Sequence, residues 1–231
     1  MIRAMRTAAS GMMAQQTQVD TIANNIANVN TASFKKNRVN FRSLLYTTLR
    51  EPGAATSANQ QVPTGLQIGT GTEVSSSIKL FLQGDIEQTG NPLDLAIQGD
   101  GFFKIAMGNG EFRYTRDGAF RIDGNGDMVT VDGFKLEPGI SIPPDAQDIV
   151  VGQDGTVQVR SGGSDTLQAR GQVRLTRFPN PAGLRAEGAN MFRETASSGA
   201  PTEQTPGQGA AGFLRQAFLE RSNVSVVDEL I

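Results

Sequence analysis

The side chains that most often carry out chemistry in proteins are missing from this sequence. None of its 231 residues is a histidine or a cysteine. Without these two residue types the chain cannot build a structural zinc site, a thiol nucleophile or a Ser-His-Asp triad. Catalysis by carboxylates or by a lysine is the chemistry that is left. The composition therefore favours a protein that is not an enzyme, and we assign no catalytic residues.

Two short motifs imitate ligand-binding loops. Residues 123–127, Asp-Gly-Asn-Gly-Asp, match the first half of a calcium loop, but its sixth and twelfth positions, which need Gly and Glu, hold Met128 and Phe134. Residues 99–101, Gly-Asp-Gly, offer two glycines of a dinucleotide-binding loop, with Lys104 where the third belongs. Both motifs are predicted to be tight turns, so neither a metal nor a cofactor is expected.

A long helix is predicted over residues 1–32. Eight of its positions follow alternating four- and three-residue steps, and seven of these are apolar, which indicates a narrow seam of the coiled-coil type. The seven apolar positions, called the assembly seam below, are Met5, Ala8, Met12, Val19, Ile22, Ile26 and Val29; the eighth is Gln15. The helix either docks on the core of its own domain or packs against other chains. The chain holds no second long amphipathic segment, which favours other chains.

The rest of the helix surface carries almost no charged residues. Between Arg6 and Lys35 the one charged residue is Asp20, and Gln and Asn fill the polar positions. A solvated helix usually carries Glu and Lys on its outer face. The neutral amides therefore predict a helix that is packed on several sides.

Residues 33–66 form a connector whose conformation the sequence leaves open. The apolar positions that fit one helical stripe are Phe34, Phe41, Leu44, Leu45 and Leu49, yet the segment could also be extended. Its basic residues imitate a nucleic-acid patch. In a chain of net charge −2 they fit a solvated or subunit-contact face better, so no nucleic-acid partner is expected. The second part, residues 51–65, is rich in Pro, Gly, Ser and Gln and is typical of a loop or linker.

From about residue 66 apolar and polar residues alternate with the period of a half-buried strand. The clearest same-face pairs are Phe112 and Tyr114, Phe120 and Ile122, Val157 and Val159, and Val173 and Leu175. Turn dipeptides occur at 117–118, 125–126, 132–133 and 154–155, and one more strand is predicted around 213–221. Residues 67–221 are therefore predicted to form an all-β domain, a sandwich or an irregular barrel.

The last segment, residues 222–231, has the pattern of a helix start. Ser225 and Asp228 stand three apart as in a capping box, and an apolar stripe begins beside them. We expect this helix to continue in a longer chain. No apolar run is long enough to span a membrane, and the first residues lack the features of a cleaved signal peptide, so no direct membrane insertion is expected. The predicted fold class is α+β, mainly β, with a helix at each end.

Seven segments, in order along the chain, closely resemble the flagellar rod and hook family. They are residues 23–35, 43–55, 65–74, 83–105, 114–120, 194–207 and 219–231. The signature positions of the first segment are Asn24, Asn25, Asn28, Asn30, Thr31, Phe34 and Lys35. The stretch 43–65 resembles rod members of the family more than hook members. Ser33 stands where the family usually has Gly, which predicts less need for backbone freedom there.

The resemblance implies a structural subunit of the distal part of the flagellar rod. It implies that the N-terminal helix pairs with a C-terminal helix as an inner layer around a channel, with the β domain outside. Identical copies would stack helically into a hollow, stiff drive shaft that crosses the periplasm within the basal body and carries torque to the hook. The partners implied are further copies, other rod proteins and the hook protein at the ends, bushing rings around the rod, and the flagellar type III export apparatus.

The segment 43–65 is interpreted as a device that stiffens the rod. The residues assigned to it are Leu44, Leu45, Tyr46, Leu49, Pro52 and Pro63. An apolar face on 43–52 could wedge between neighbouring subunits, with proline stiffening the ends of the following loop. The alternative is a disordered linker.

Two other functions stay open at this level. One is an extracellular adhesin or phage-tail-like β protein with a coiled-coil stalk, which would carry an outward binding site and a terminal anchor. The other is a carboxylate-based hydrolase, which would need paired acids in an aromatic-lined cleft. The chain has no Trp and only 2 Tyr, which gives the hydrolase little support.

Overall fold

The computed structural model describes residues 2–53, 55–57, 60–61, 63–162 and 166–230, with the backbone alone at 55–57, 60–61 and 230. The chain divides into two compact units. Unit 1 consists of Met1–Ala27 and Asn37–Leu80, and unit 2 of Asn28–Lys36 and Phe81–Ile231. The boundary predicted between a connector and a β domain at 66/67 does not coincide with this division, because it falls inside a strand of unit 1, Leu66–Gly69, that pairs with Tyr46–Arg50.

Unit 1 begins with helix α1, Ile2–Ala27. The predicted helix extends to residue 32, but residues 28–30 already form a turn. Several asparagines lie near this end of the helix. Asparagine side chains compete for backbone hydrogen bonds, so they favour helix ends and turns. Asn25 makes such a bond, because its amide group pairs with the backbone of Asn37 instead of pointing into solvent.

The connector is a β-ribbon. Its strands are β1 Asn37–Ser43, β2 Tyr46–Arg50, β3 Ala55–Ser57, β4 Gln60–Gln61, β5 Leu66–Gly69 and β6 Thr72–Lys79. They form three successive antiparallel pairs, β1–β6, β2–β5 and β3–β4. The helical alternative for residues 34–50 is therefore wrong, and strands begin at Asn37 instead of near 66. The Tyr- and Thr-containing run of β2 prefers strand geometry, and cross-strand pairing overrides the helical spacing of the leucines.

Unit 2 contains the remaining strands and a second helix. The strands are β7 Ile86–Gln88, β8 Leu95–Gln98, β9 Phe102–Ala106, β10 Phe112–Thr115, β11 Arg121–Ile122, β12 Met128–Val129, β13 Lys135–Glu137, β14 Ala146–Val151, β15 Thr156–Ser161, β16 Gln168–Gln172, β17 Leu175–Arg177, β18 Arg185–Gly188, β19 Met191–Arg193, β20 Thr202–Gln204, β21 Phe213–Gln216 and β22 Phe218–Glu220; the helix is α2 Val226–Leu230. A nine-stranded sheet is built around β9, and β14, β15 and β16 form a second sheet. Two short pairs, β21–β8 and β22–β7, complete the unit. The predicted fold class, mainly β with a helix, is confirmed.

The core of unit 2 lies between these sheets. Its fully buried members include Leu95, Ile97, Phe103, Ile105, Phe120, Leu136, Val157, Val159, Val173, Leu175 and Leu214. The alternating pairs at 157–159 and 173–175 are thus confirmed as core positions. Strand β10 is different, because Arg113 and Thr115 are buried as well as Tyr114, while Phe112 is 40% exposed. The half-buried pattern predicted there is wrong, because polar partners enclose the other side chains of β10. Arg113 forms ion pairs with Glu111 and Glu187, and the Thr115 hydroxyl donates to the carbonyl of Asn190.

Three of the predicted turns join antiparallel strands. In the calcium-loop imitation, the Asp123 carboxylate accepts hydrogen bonds from the backbone N–H groups of Asn125 and Asp127, at 2.8 and 2.9 Å. The acidic residue therefore serves the hairpin turn itself, as predicted. Asp117-Gly118 does not join a hairpin, because β10 pairs with β9 and β19 instead of β11.

The C-terminal part of the described chain follows its prediction with one change. The strand expected around 213–221 is two strands separated at Ala217, whose φ of 63° lies in the left-handed region. Ser225 caps α2 as predicted, since its hydroxyl oxygen accepts from the N–H of Asp228 at 3.4 Å. Within the described ranges, no helix has the length and apolarity needed to cross a membrane.

Candidate functional site

The assembly seam lies largely open on unit 1. Met5, Met12 and Val19 are 62–67% exposed, and Ala8 is exposed too. Ile22 and Ile26 near the end of α1 are half-buried. Val29 falls beyond the helix, in the turn that belongs to unit 2, so it does not extend the seam of α1.

A different face of α1 contacts the ribbon. The positions that recur on this face, which is called the polar face below, are Arg3, Thr7, Ser10, Ala14, Thr21 and Asn25. Arg3 donates to the hydroxyl of Thr47 at 2.7 Å, and the backbone N–H of Thr72 donates to the hydroxyl of Ser10 at 3.3 Å. At 100° per residue the polar face and the assembly seam point about 140° apart around the helix axis. Of the two alternatives for α1, a contact within its own chain is therefore present, but it covers the polar face and leaves the partner of the assembly seam a prediction.

Close approach of helix and ribbon depends on a glycine. Gly71 joins β5 to β6 with a φ of 128°, and a Cβ there would lie 2.2 Å from the Ser10 hydroxyl oxygen. A side chain at this position would push the ribbon away from the helix. The small and hydroxylated residues of the polar face serve the same purpose, because they allow backbone groups of the ribbon to approach.

Asn25 of the family signature closes this contact. Its side chain is 1% exposed and makes two hydrogen bonds with Asn37, donating to the carbonyl oxygen and accepting from the N–H, both at 2.9 Å. The amide thereby replaces a neighbouring strand at the start of β1. Asn24, by contrast, lies on the surface.

The rest of the signature lies within residues 28–36, which belong to unit 2 and are called the strap below. Within it, Thr31 donates its hydroxyl to the Asn28 side chain at 3.2 Å, which holds the first turn, and Asn30 is exposed. Phe34 is buried. The strap is bonded to the end of β22, since the N–H of Ser33 donates to the carbonyl of Glu220 at 2.8 Å.

Ser33 occupies a conformation that favours glycine. Its φ is 56°, in the left-handed region, so the prediction that the Gly-to-Ser difference relaxes the backbone requirement is wrong. The Ser33 hydroxyl donates to the carbonyl of Arg116 at 2.8 Å and is buried. This bond gives the serine a partner that a glycine would not have.

Lys35 reaches a buried cluster of charges. Its Nζ donates to Oε1 of Glu220 at 2.7 Å, and Nε of Arg116 donates to Oε2 of the same carboxylate at 2.9 Å. The three side chains are 0–4% exposed. Backbone groups supply further hydrogen bonds. Lys35 Nζ donates to the carbonyl of Leu82, and the N–H of Gly84 donates to the Glu220 carboxylate, both at 2.8 Å.

Two cations share one carboxylate in this cluster. Burial lowers the pKa of Lys35 to about 8; the neighbouring Arg116 also lowers it, and Glu220 opposes the change. Desolvation and the repulsion from Arg116 together therefore outweigh the effect of Glu220 on the pKa of Lys35. Sequence reasoning missed Arg116 and Glu220, although both lie in segments of family resemblance, 114–120 and 219–231.

The predicted stiffening segment lies at the bend and second pair of the ribbon. Leu45, Tyr46 and Leu49 are 87, 59 and 57% exposed, while Leu44 is half-buried. On the facing strand β5, Leu66 and Ile68 are also about half exposed. Pro52 lies in a turn and Pro63 in a bend, both exposed, and part of the linker predicted between them, at 54, 58–59 and 62, lies outside the described residues.

Unit 2 offers little support for a hydrolase. A cavity of about 160 Å³ is lined by Phe81, Phe102 and Phe178, and its one acid is Asp100, which faces Arg177 at 3.6 Å. Paired acids are thus absent from this aromatic cavity. Over the part of the chain that the structure describes, no three acidic residues are grouped as metal ligands.

Comparison with known proteins matches these regions to flagellar families. The model described as "Flagella basal body rod protein" matches residues 5–35, and that described as "Flagellar hook protein FlgE/F/G D1 domain" matches residues 96–159. The first match covers most of α1 with nearly all of the strap, and the second covers the centre of unit 2.

Similarity to individual relatives extends over the whole chain. The flagellar basal-body rod protein FlgG of Borreliella burgdorferi is 45% identical over 100% of this chain and 88% of its own length. The FlgG protein of Caulobacter vibrioides is 46% identical over 99% of this chain and 88% of its own length. The flagellar hook protein FlgE of Helicobacter mustelae is 38% identical, but over 59% of this chain and 30% of its own length. The predicted resemblance to rod members is confirmed, and the chain belongs to the family of flagellar basal-body rod proteins of the FlgG type.

Proposed function

We propose that this protein is a structural subunit of the distal flagellar rod and has no catalytic activity. Copies polymerise helically into a hollow, stiff shaft that transmits torque from motor to hook and encloses the export channel. The observation that carries this proposal is that two faces of α1 have different contacts. Its polar face is occupied by its own ribbon, while the apolar assembly seam, with Met5, Met12 and Val19 more than 60% exposed, is left for neighbours.

The exposed assembly seam indicates how subunits contact one another. An exposed apolar seam on a helix needs another helix or apolar surface, and identical subunits that repeat one contact without closing form a helical polymer. Other rod proteins and the hook protein bind at the ends of this polymer. We further propose that bushing rings surround the shaft, that the type III export apparatus secretes the subunits, and that the shaft spans the periplasm.

The ribbon supplies the stiffness that separates a rod from a hook. A hook bends as it turns, so its subunits slide against one another, whereas a rod must remain straight. Tyr46 and Leu49 of strand β2, and Leu45 just before it, are exposed apolar side chains, and β2 is paired with β5. A hydrogen-bonded ribbon that inserts between neighbours would remove the freedom to slide.

Deleting residues 46–63 tests this role. We expect the shortened protein to assemble into a filament that bends more easily, measured as persistence length by electron microscopy. A deletion filament as straight as the parent would show that the ribbon is only a tether.

Ile26→Asp tests the assembly role itself. A charge placed at this half-buried seam position should abolish rod assembly and motility while the circular dichroism of unit 2 is retained. Met13→Asp places the same charge at an apolar position of α1 that is 70% exposed and lies away from the assembly seam, and it is the matched control. A motile strain that carries Ile26→Asp would contradict the proposal.

A further inference from the structure

The charged residues of the chain are divided unequally between its two units. Unit 1 contains 6 basic and 3 acidic residues, and unit 2 contains 15 basic and 20 acidic residues. The side chains of unit 1 therefore carry a charge of +3 and those of unit 2 a charge of −5, which together give the net charge of −2. Surfaces of opposite charge on one kind of molecule attract each other between copies of it.

The negative charge of unit 2 is concentrated in one stretch of the chain. Residues 117–148, called the acidic edge below, contain 7 acidic and 2 basic residues, a charge of −5, whereas the rest of unit 2 contains 13 of each. The acidic edge comprises β11, β12, β13 and the start of β14, and β11 is the end strand of the nine-stranded sheet. The whole excess of negative charge on unit 2 therefore lies in this stretch.

The acidic edge also exposes an apolar side chain. Val131 is 68% exposed in the turn between β12 and β13, and Asp132 beside it is exposed as well. Both residues, together with Asp117, line a cavity of about 30 Å³. Burial raises the pKa of Asp117, and the charges of Asp94 and Asp132 raise it further, so the local potential is negative. The acidic edge therefore offers an apolar contact that is surrounded by negative charge.

The ribbon of unit 1 has the opposite arrangement. Its exposed apolar residues around the bend and along β2 are Leu45, Tyr46 and Leu49. Arg42 precedes these residues along the chain and Arg50 follows them, and both arginines are exposed. Residues 37–80 as a whole contain 4 basic and 2 acidic residues. An apolar contact with a rim of one charge fits a partner that has an apolar contact and a rim of the other charge.

Hydrogen bonds hold the bend that presents these side chains. The Leu44 N–H donates to the carbonyl of Gly71 at 2.9 Å, and the Thr70 hydroxyl donates to the carbonyl of Leu45 at 2.7 Å. The side chain of Leu45 is nevertheless among the most exposed apolar groups of the chain. Because the backbone of the bend is already ordered, a partner that binds here orders little further chain. The bend is therefore suited to be a preformed contact surface.

We infer that the acidic edge of one copy binds the ribbon of another copy, with Val131 against the apolar residues of 45–49 and acidic side chains beside Arg42 and Arg50. The two surfaces are different, so the contact is heterologous and can repeat from copy to copy along a helical polymer. The inference rests on the proposed function, because it names the surface that the ribbon meets in a neighbouring subunit.

The test is a charge swap measured by analytical ultracentrifugation. Every variant carries Met12→Asp, which places a charge at an exposed position of the assembly seam, so that the inferred contact is measured without the contact expected at the seam. In this background the weight-average mass should rise with protein concentration at low salt, beyond the mass of a dimer, and should fall when salt is added. Asp132→Lys and Arg50→Glu should each weaken the association by about tenfold or more, because like charges then face each other.

A mixture of these two variants separates a contact between copies from one within a chain. In the mixture each unchanged surface meets an unchanged partner and each reversed surface meets a reversed one, so the association should return. A single chain with both substitutions should associate in the same way. Asp100→Lys is the matched control, because it reverses a carboxylate that is 76% exposed but lies outside the acidic edge, and it should leave the association unchanged.

Several results would overturn the inference. They are a Met12→Asp protein that stays monomeric at every salt concentration, an association that does not weaken with salt, a mass that stops at the dimer, and an equal loss in Asp100→Lys. Recovery in the doubly substituted chain but not in the mixture would place the pairing within one chain and would overturn it too. Motility of an Ile26→Asp strain reports on the proposed function separately, so the two failures are distinguishable.

Discussion

The two units of the chain differ in how far they bury their apolar side chains. In unit 2, residues such as Leu95, Phe103 and Ile105 are completely enclosed, and even charged groups are buried in satisfied networks. In unit 1, the helix and ribbon meet through hydroxyl, amide and backbone groups, and large apolar side chains face outward. Exposed apolar area of this kind marks interaction surfaces. Unit 2 therefore buries its apolar side chains within the single chain. Unit 1 exposes apolar side chains that we expect neighbouring subunits to cover.

The difference predicts that mutations in the two units have separable consequences. Changes in unit 2 should lower the free energy of unfolding of the monomer. Changes to the exposed seam and ribbon should leave that quantity nearly unchanged and act on the polymer. The following experiments test this contrast.

The largest effect is expected at Glu220. Glu220→Gln leaves Lys35 and Arg116 buried without a counter-charge, which should lower the free energy of unfolding by about 3–5 kcal/mol in urea titrations. Glu87→Gln removes a carboxylate that is 63% exposed and pairs with Arg221 at 3.5 Å, and should cost less than about 1 kcal/mol. Equal losses in the two variants would show that the buried cluster is more solvated than its enclosure indicates.

A pair of truncations compares the two units directly. Ile105→Ala should destabilise the monomer by about 2–5 kcal/mol, because it opens a cavity in a closed core. Leu45 is 87% exposed, so Leu45→Ala should change monomer stability by less than about 0.5 kcal/mol but make the filament less stiff. Thermal unfolding of the monomer and persistence length of the polymer give the two readouts. A large monomer loss in Leu45→Ala would remove the contrast.

A smaller and local effect is expected at Asn25. Asn25→Ala leaves the N–H and C=O of Asn37 without their side-chain partner, which should cost about 1–3 kcal/mol. Hydrogen exchange should become faster in α1 and β1 and stay unchanged in β9 and β15. Gln16→Ala, on an exposed part of the same helix, is the control. Faster exchange throughout both units would show that they unfold together.

The last effect is a dependence of stability on alkaline pH, which develops gradually between the two pKa values of Lys35. The pKa of Lys35 is lowered to about 8 from 10.5, so the folded protein loses this proton before the unfolded chain does. The unfolded state then binds more protons, and stability should rise as pH increases from about 8 towards 10.5. Urea titrations across this range should show a gain in the parent that is smaller in Lys35→Met. Identical pH profiles would show that Lys35 titrates as an ordinary lysine.

Local sequence patterns determined a large part of this protein. The absence of His and Cys removed whole classes of chemistry, the seven-residue spacing located α1, and turn dipeptides located hairpins at 125–126 and 132–133. The cap at Ser225 followed from a single three-residue spacing. All of these depend on groups that are neighbours along the chain, so their physics is contained in a short window.

Tertiary structure alone decided what each pattern contacts. Leucine spacing in 34–50 fits a helix, but pairing with residues 66–79 makes it a ribbon. The seam of α1 predicts an apolar contact, yet its own chain covers the polar face instead. Lys35 meets Glu220 across a separation of 185 residues. A lysine is stable in a closed site only when distant chain brings it a carboxylate and carbonyl groups, and no local period records which distant residue does so.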